Sequence, residues 1–137
     1  MAFSRDIAVR FPDVDFARVV YYPRFFDFAH QVMEDFFAAE VGVSYAAMLR
    51  DRKVGFPTVH CEADFVSPLR FGDLARFELT CDKASERSVA LQYRVTREGV
   101  HCATLKVVTV PVAMDTFTAV PVPADVRAAF ARHLSGS

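Results

Sequence analysis

Between Pro23 and Glu40 the chain reads PRFFDFAHQVMEDFFAAE, a helical stretch that is apolar over far more than one face. Phe25, Phe26, Phe28, Ala29, Val32, Met33, Phe36 and Phe37 leave the polar residues Arg24, Asp27, Gln31, Glu34 and Asp35 only a narrow stripe. Such a helix cannot simply lie on a sheet; a sheet has to curl around it. Pro23 suits the first helical position and Gly42 the stop.

The rest of the chain supplies that sheet. Ser4 to Phe11 alternates, with Ile7, Val9 and Phe11 on the inward face, and the Pro12-Asp13 turn ends it. Ser44 to Asp51 reads as a short second helix. Four strand candidates follow, Phe56 to Ser67, Leu74 to Asp82, Ser88 to Arg97 and His101 to Met114, with turns at Gly72-Asp73, Ser85-Glu86 and Glu98-Gly99. Val89, Leu91, Tyr93 and Val95 give the cleanest alternation. A short helix from Pro123 to Leu134 closes the chain, and only Ser135-Gly136-Ser137 is expected to fray. The order of elements predicts an α+β domain spanning residues 1–137, an antiparallel five-stranded sheet wrapped around one long central helix.

At 137 residues, 53% apolar and with a net charge of −1, the chain can bury one core. It offers no reason to expect nucleic acid or a membrane as partner. The start, MAFSRDIAVRF, has no signal-like apolar run. Cys61, Cys81 and Cys102 are widely spaced and read as reduced core residues, so a cytoplasmic location is expected. No Walker loop, GxGxxG, GxSxG elbow or Cys/His pair is present.

Arg10 to His30, RFPDVDFARVVYYPRFFDFAH, delivers an acidic residue from a strand end to the start of the central helix. A helix start offers free N–H groups and a positive dipole end, which suit an oxygen that becomes negatively charged. Asp15 stands beside it. Read alone, Asp15 equally suits a turn or helix-cap carboxylate.

The segment FPDVDFARVVYYP (residues 11–23) resembles the motif of the hotdog-fold acyl-CoA thioesterases of the 4-hydroxybenzoyl-CoA thioesterase type. That motif runs aromatic, x, Asp, x, Asp, x, x, Gly, two apolar residues, x, Tyr. A second, weaker match is GFPTVHC (residues 55–61) leading to Phe65 and the Gly72-Asp73 turn. The resemblance implies a hotdog fold and an acyl-CoA thioester hydrolase with an apolar, conceivably aromatic, acyl group. It implies Asp15 as the catalytic carboxylate, acting as nucleophile or general base, and the Tyr22 N–H as the donor that polarises the thioester carbonyl.

The resemblance also implies a homodimer with its active site between subunits, with dimers able to stack into a tetramer. Coenzyme A would be held near Ser85 to Ser88, making Arg87 and Ser88 the candidates for phosphate contact, with Arg70, Arg94 and Lys106 as weaker ones. Phe25, Phe26, His30, Thr58 and His60 are the candidates for the acyl group. No cofactor or metal is called for; His60, Glu62 and Asp64 alternate on one strand face, which reads as polar surface or dimer contact. Arg18 stands where the family has Gly, which predicts either an altered loop backbone or a cation beside the site. The alternatives are a non-catalytic acyl-CoA binding or regulatory protein, and a hotdog hydratase or dehydratase, whose His pattern is not matched here.

Overall fold

Pro23, with φ −65°, sets the chain into helical conformation, and α1 runs over Arg24–Phe36 in the computed structural model, which describes residues 2–135. The helix continues as a wider π-type turn over Phe37–Val41 and stops at Gly42, where φ is +83°. It buries Phe25, Phe28, Ala29, Val32, Met33 and Phe36, while Asp27, Gln31, Glu34 and Asp35 stay in solvent. The apolar surface is met by an antiparallel sheet of five strands in the order β1, β4, β5, β6, β3. These are β1 (Phe3–Ala8), β3 (Thr58–Phe65), β4 (Leu74–Ala84), β5 (Val89–Arg97) and β6 (Val100–Thr109).

This is the hotdog arrangement the resemblance implied. Val89, Leu91, Tyr93 and Val95 all turn inward and are buried, with Phe77, Leu79 and Cys81 of β4 and Ala103 and Leu105 of β6 beside them. The Glu98-Gly99 turn between β5 and β6 has φ +50° and +78°, the pair of left-handed residues that matches strand twist in a tight hairpin. Three shorter elements complete the fold: α2 (Tyr45–Arg50), the β2–β7 pair (Val54–Gly55 with Val112–Ala113) and α3 (Ala124–Ala131). Ser44 caps α2 by accepting the Ala47 N–H at 3.1 Å.

Four local expectations need correction. Phe11 is not a core strand residue: the chain leaves β1 at Ala8 and enters a 3-10 turn at Phe11–Asp13, where Phe11 is 74% exposed and packs edge-on to Phe71 at 5.9 Å. The long strand candidate His101 to Met114 is split at Pro111 into β6 and β7, because proline has no N–H to give a ladder, and the candidate from Phe56 begins at Thr58, after Pro57. Cys61 is exposed, while Cys81 and Cys102 are buried. Burial pushes the Cys81 thiol up to about 11, keeping it protonated and inert. Ser135 is pinned, its N–H donating to the Cys81 carbonyl at 2.8 Å and its hydroxyl meeting Asp82 at 2.7 Å. Gly136 and Ser137 lie outside the described residues.

The edge strand β3 differs from the others. Seven of its eight residues are exposed, including Val59 and Phe65, because α1 lies over the far side of the sheet. An uncovered apolar edge is a template for pairing.

Candidate active site

Between β1 and α1 the chain doubles back as a small hairpin. Val14 pairs with Val20, the Asp15 N–H donates to the Val19 carbonyl at 3.0 Å, and the Tyr21 N–H donates to the Asp13 carbonyl at 2.9 Å. Asp13 is buried and accepts the Arg10 N–H at 2.8 Å, so it fixes the turn that precedes the hairpin. Asp15 is exposed near the tip. Its Oδ1 accepts the Ala17 N–H at 2.8 Å, and among the described residues it forms no ion pair.

Arg18 completes the tip with φ +68°, the left-handed conformation that glycine adopts freely. Of the two outcomes expected at this position, the backbone keeps the glycine-like angle and the side chain adds a cation. The arginine therefore strains the loop, by about 1 kcal/mol. Arg18→Gly is expected to raise Tm by roughly 3–5 °C, measured by thermal unfolding; a lower Tm would mean that the guanidinium holds the loop together.

The hairpin leads straight into α1, where Arg24, Phe25 and Phe26 donate to the carbonyls of Tyr21, Tyr22 and Pro23. The Tyr22 N–H, just ahead of the helix, has no acceptor among the described residues. One apolar cleft of about 400 Å³ opens beside it, lined by Val19, Tyr22, Phe25, Phe65, Val66 and Leu69. Phe25 and Phe65 close its floor edge to face at 5.1 Å. On the other flank of the hairpin a cleft of about 430 Å³ is lined by Phe11, Val14, Asp15, Arg18, Arg70 and Phe71.

A third cavity, of about 340 Å³, lies between α1 and the sheet and includes Phe26, His30, Thr58, Cys61 and Tyr93 in its wall. His30 sits at its rim, bonded to Glu34 at 2.9 Å and edge-on to Tyr45 at 5.7 Å.

The sequence-derived residues thus fall into three groups. Asp15, Arg18, Tyr22 and Phe25 gather around the hairpin, with Arg70 beside them. Phe26, His30 and Thr58 line the inner cavity. His60, Glu62 and Asp64 alternate with the inward Cys61 and Ala63 on β3, so they lie on the outer face, where His60 approaches Glu62 at 3.7 Å.

Arg87 and Ser88 lie in the β4–β5 turn, at the opposite end of β4 from the hairpin. The 11 residues of β4, a strand roughly 35 Å long, lie between them and the hairpin within one chain. The Ser88 hydroxyl is engaged with the Ser85 hydroxyl at 2.8 Å. Arg94 and Lys106 also sit on the outer face of the sheet, Arg94 facing Glu78 at 3.8 Å. From sequence, Phe65 stands out only as the end of the weaker motif match, and Val66 and Tyr93 carry no site signal. Phe65 and Val66 look like an ordinary strand end, and Tyr93 like one more inward residue of a regular alternation.

The family model described as the thioesterase-like superfamily matches residues 9–130. A 1,4-dihydroxy-2-naphthoyl-CoA hydrolase from Prochlorococcus marinus is 30% identical, over 72% of this chain and 70% of its own length. The structure of a gentisyl-coenzyme A thioesterase superposes with a TM-score of 0.83 at 26% identity, covering 91% of this chain and 99% of that one. A 1,4-dihydroxy-2-naphthoyl-CoA thioesterase from Synechocystis shares the fold with a TM-score of 0.86 at 24% identity, over 96% of each chain.

Proposed function

The chain belongs to the thioesterase-like superfamily, and from that premise we propose that it hydrolyses an aromatic acyl-CoA thioester, with water, to the free acid and coenzyme A. The observation that carries this reading is the hairpin: its tip exposes the Asp15 carboxylate, and it ends just ahead of α1 at Tyr22, whose N–H has no acceptor among the described residues. A thioester carbonyl oxygen bound by that N–H gains a donor aligned with the helix dipole as it becomes an oxyanion. Asp15 then supplies the attack, either directly, giving a mixed anhydride and coenzyme A thiolate, or by taking a proton from the attacking water. Thiolate leaves readily, so no strong general acid is needed.

The aromatic preference is supported by two relatives whose names give a dihydroxynaphthoyl-CoA and a gentisyl-CoA as substrates. The ring-lined clefts suit such groups.

The site is completed by a second copy. Two β3 edges joined antiparallel about a two-fold axis bring the Phe65 end of one strand against the Thr58 end of the other. The cleft beside Tyr22 then adjoins the inner cavity of the second copy, and the second copy's Arg87-Ser88 turn comes to the same end of the joined sheet as Asp15. That removes the long separation within one chain and restores these residues as candidates for the coenzyme A phosphates.

The same reading places the protein in the cytoplasm, where three unpaired cysteines persist as thiols. Among the described residues, no helix is long and apolar enough to cross a membrane.

The test is thiol release from benzoyl-, naphthoyl- and straight-chain acyl-CoAs, with the particle mass read by light scattering. The expected result is kcat/KM at least tenfold higher for an aromatic substrate than for the best straight-chain one, in a particle of two or four chains. A monomer with full activity would contradict the shared site.

A further inference from the structure

Tyr93 sits in the middle of β5, opposite Leu79 on β4 and Leu105 on β6, and is 2% exposed. It lines the inner cavity between α1 and the sheet, yet among the described residues its hydroxyl has no hydrogen-bond partner. Three of the polar groups in this wall are engaged elsewhere, His30 with Glu34, Asp27 with Arg24 at 3.6 Å, and the Thr109 hydroxyl with the Val89 carbonyl at 3.4 Å. The hydroxyl therefore faces the accessible space of the cavity, where phenylalanine would fill the same register without presenting a polar group. We propose that the Tyr93 hydroxyl reads an oxygen substituent, a hydroxyl or carbonyl, at the far end of an aromatic acyl group seated in this cavity.

The proposal rests on the function given above and adds a specificity-determining residue to it. Phe26, Met33, Phe56 and Val107 give the wall its apolar surface for a ring. A cavity of about 150 Å³ suffices for benzene, so about 340 Å³ has room for two fused rings. Burial raises the Tyr93 phenol above its ordinary range, so at neutral pH it keeps its proton and can donate as well as accept.

The test compares equilibrium binding of 2-naphthoate and its singly hydroxylated isomers to the natural protein and to Tyr93→Phe. In the natural protein one isomer is expected to bind roughly tenfold tighter than 2-naphthoate, and in the variant that ratio should fall to about one. Tm of the variant should hold, because the hydroxyl removed makes no hydrogen bond among the described residues.

A ratio that survives in the variant overturns the proposal, as does the absence of any preferred isomer or of any naphthoate binding. A fall in Tm with the ratio unchanged identifies a structural hydroxyl and overturns it too. Thiol release from naphthoyl-CoA is read separately: its absence, with the affinity pattern intact, counts against hydrolysis and leaves the role of Tyr93 standing.

Discussion

Asp15→Asn is expected to lower kcat for an aromatic acyl-CoA by about a thousandfold while changing KM only a few-fold. The substitution keeps the size of the side chain and leaves an oxygen to accept the Ala17 N–H, so the hairpin that positions it survives. What is lost is the charge and basicity that either route of attack requires. The remaining rate would come from the N–H at the head of α1 and from positioning, which the variant retains. Because Asp15 is exposed, stability should move by no more than about 0.5 kcal/mol. Steady-state thiol release together with a thermal melt reads both effects. A loss of less than tenfold would remove Asp15 from the chemistry.

The largest effect on stability is expected at Phe36. Its ring is fully buried where α1, α3 and β1 meet, stacked on Phe130 at 4.4 Å with the planes 7° apart and edge-on to Phe3 at 5.3 Å. His133 also meets it edge-on at 5.3 Å. Phe36→Ala removes the ring that the other three share and leaves a void none of them can fill without leaving its own contacts. The expected cost is about 3–5 kcal/mol, a large part of the stability of a domain this size. Denaturant unfolding should show a lower midpoint at an unchanged m-value, and Tm should fall by roughly 10 °C or more. A loss under about 1 kcal/mol would mean that α3 and β1 close over the gap.

The parts of the fold that were legible in sequence are those set by local chemistry. Pro23 and Gly42 bracket the central helix because one presets a helical φ and the other takes the left-handed angle that ends it. The alternation from Val89 to Val95 names the buried face of β5 without error. Phe11 went astray because its apolar character matched a strand, while the turn made with Pro12 carried it into solvent. Pro111 divides a strand that hydropathy alone runs together.

At the site, the Asp15-to-Tyr22 motif marked the hairpin because its spacing is local. The roles of Phe65 and Tyr93 were hidden for the opposite reason: only the contact of Phe65 with Phe25 and the place of Tyr93 in the inner cavity distinguish them from ordinary strand residues. The proposed role of Arg87 and Ser88 rests on the proposed dimer, which no pattern within one chain can place.

The most direct measurement of the central claim is a single turnover of naphthoyl-CoA with the protein in excess, following both the thioester and free thiol. The account predicts complete conversion to stoichiometric naphthoate and coenzyme A, far faster than in buffer alone. Stoichiometric binding with the thioester left intact would contradict it and identify the chain as an acyl-CoA binding protein.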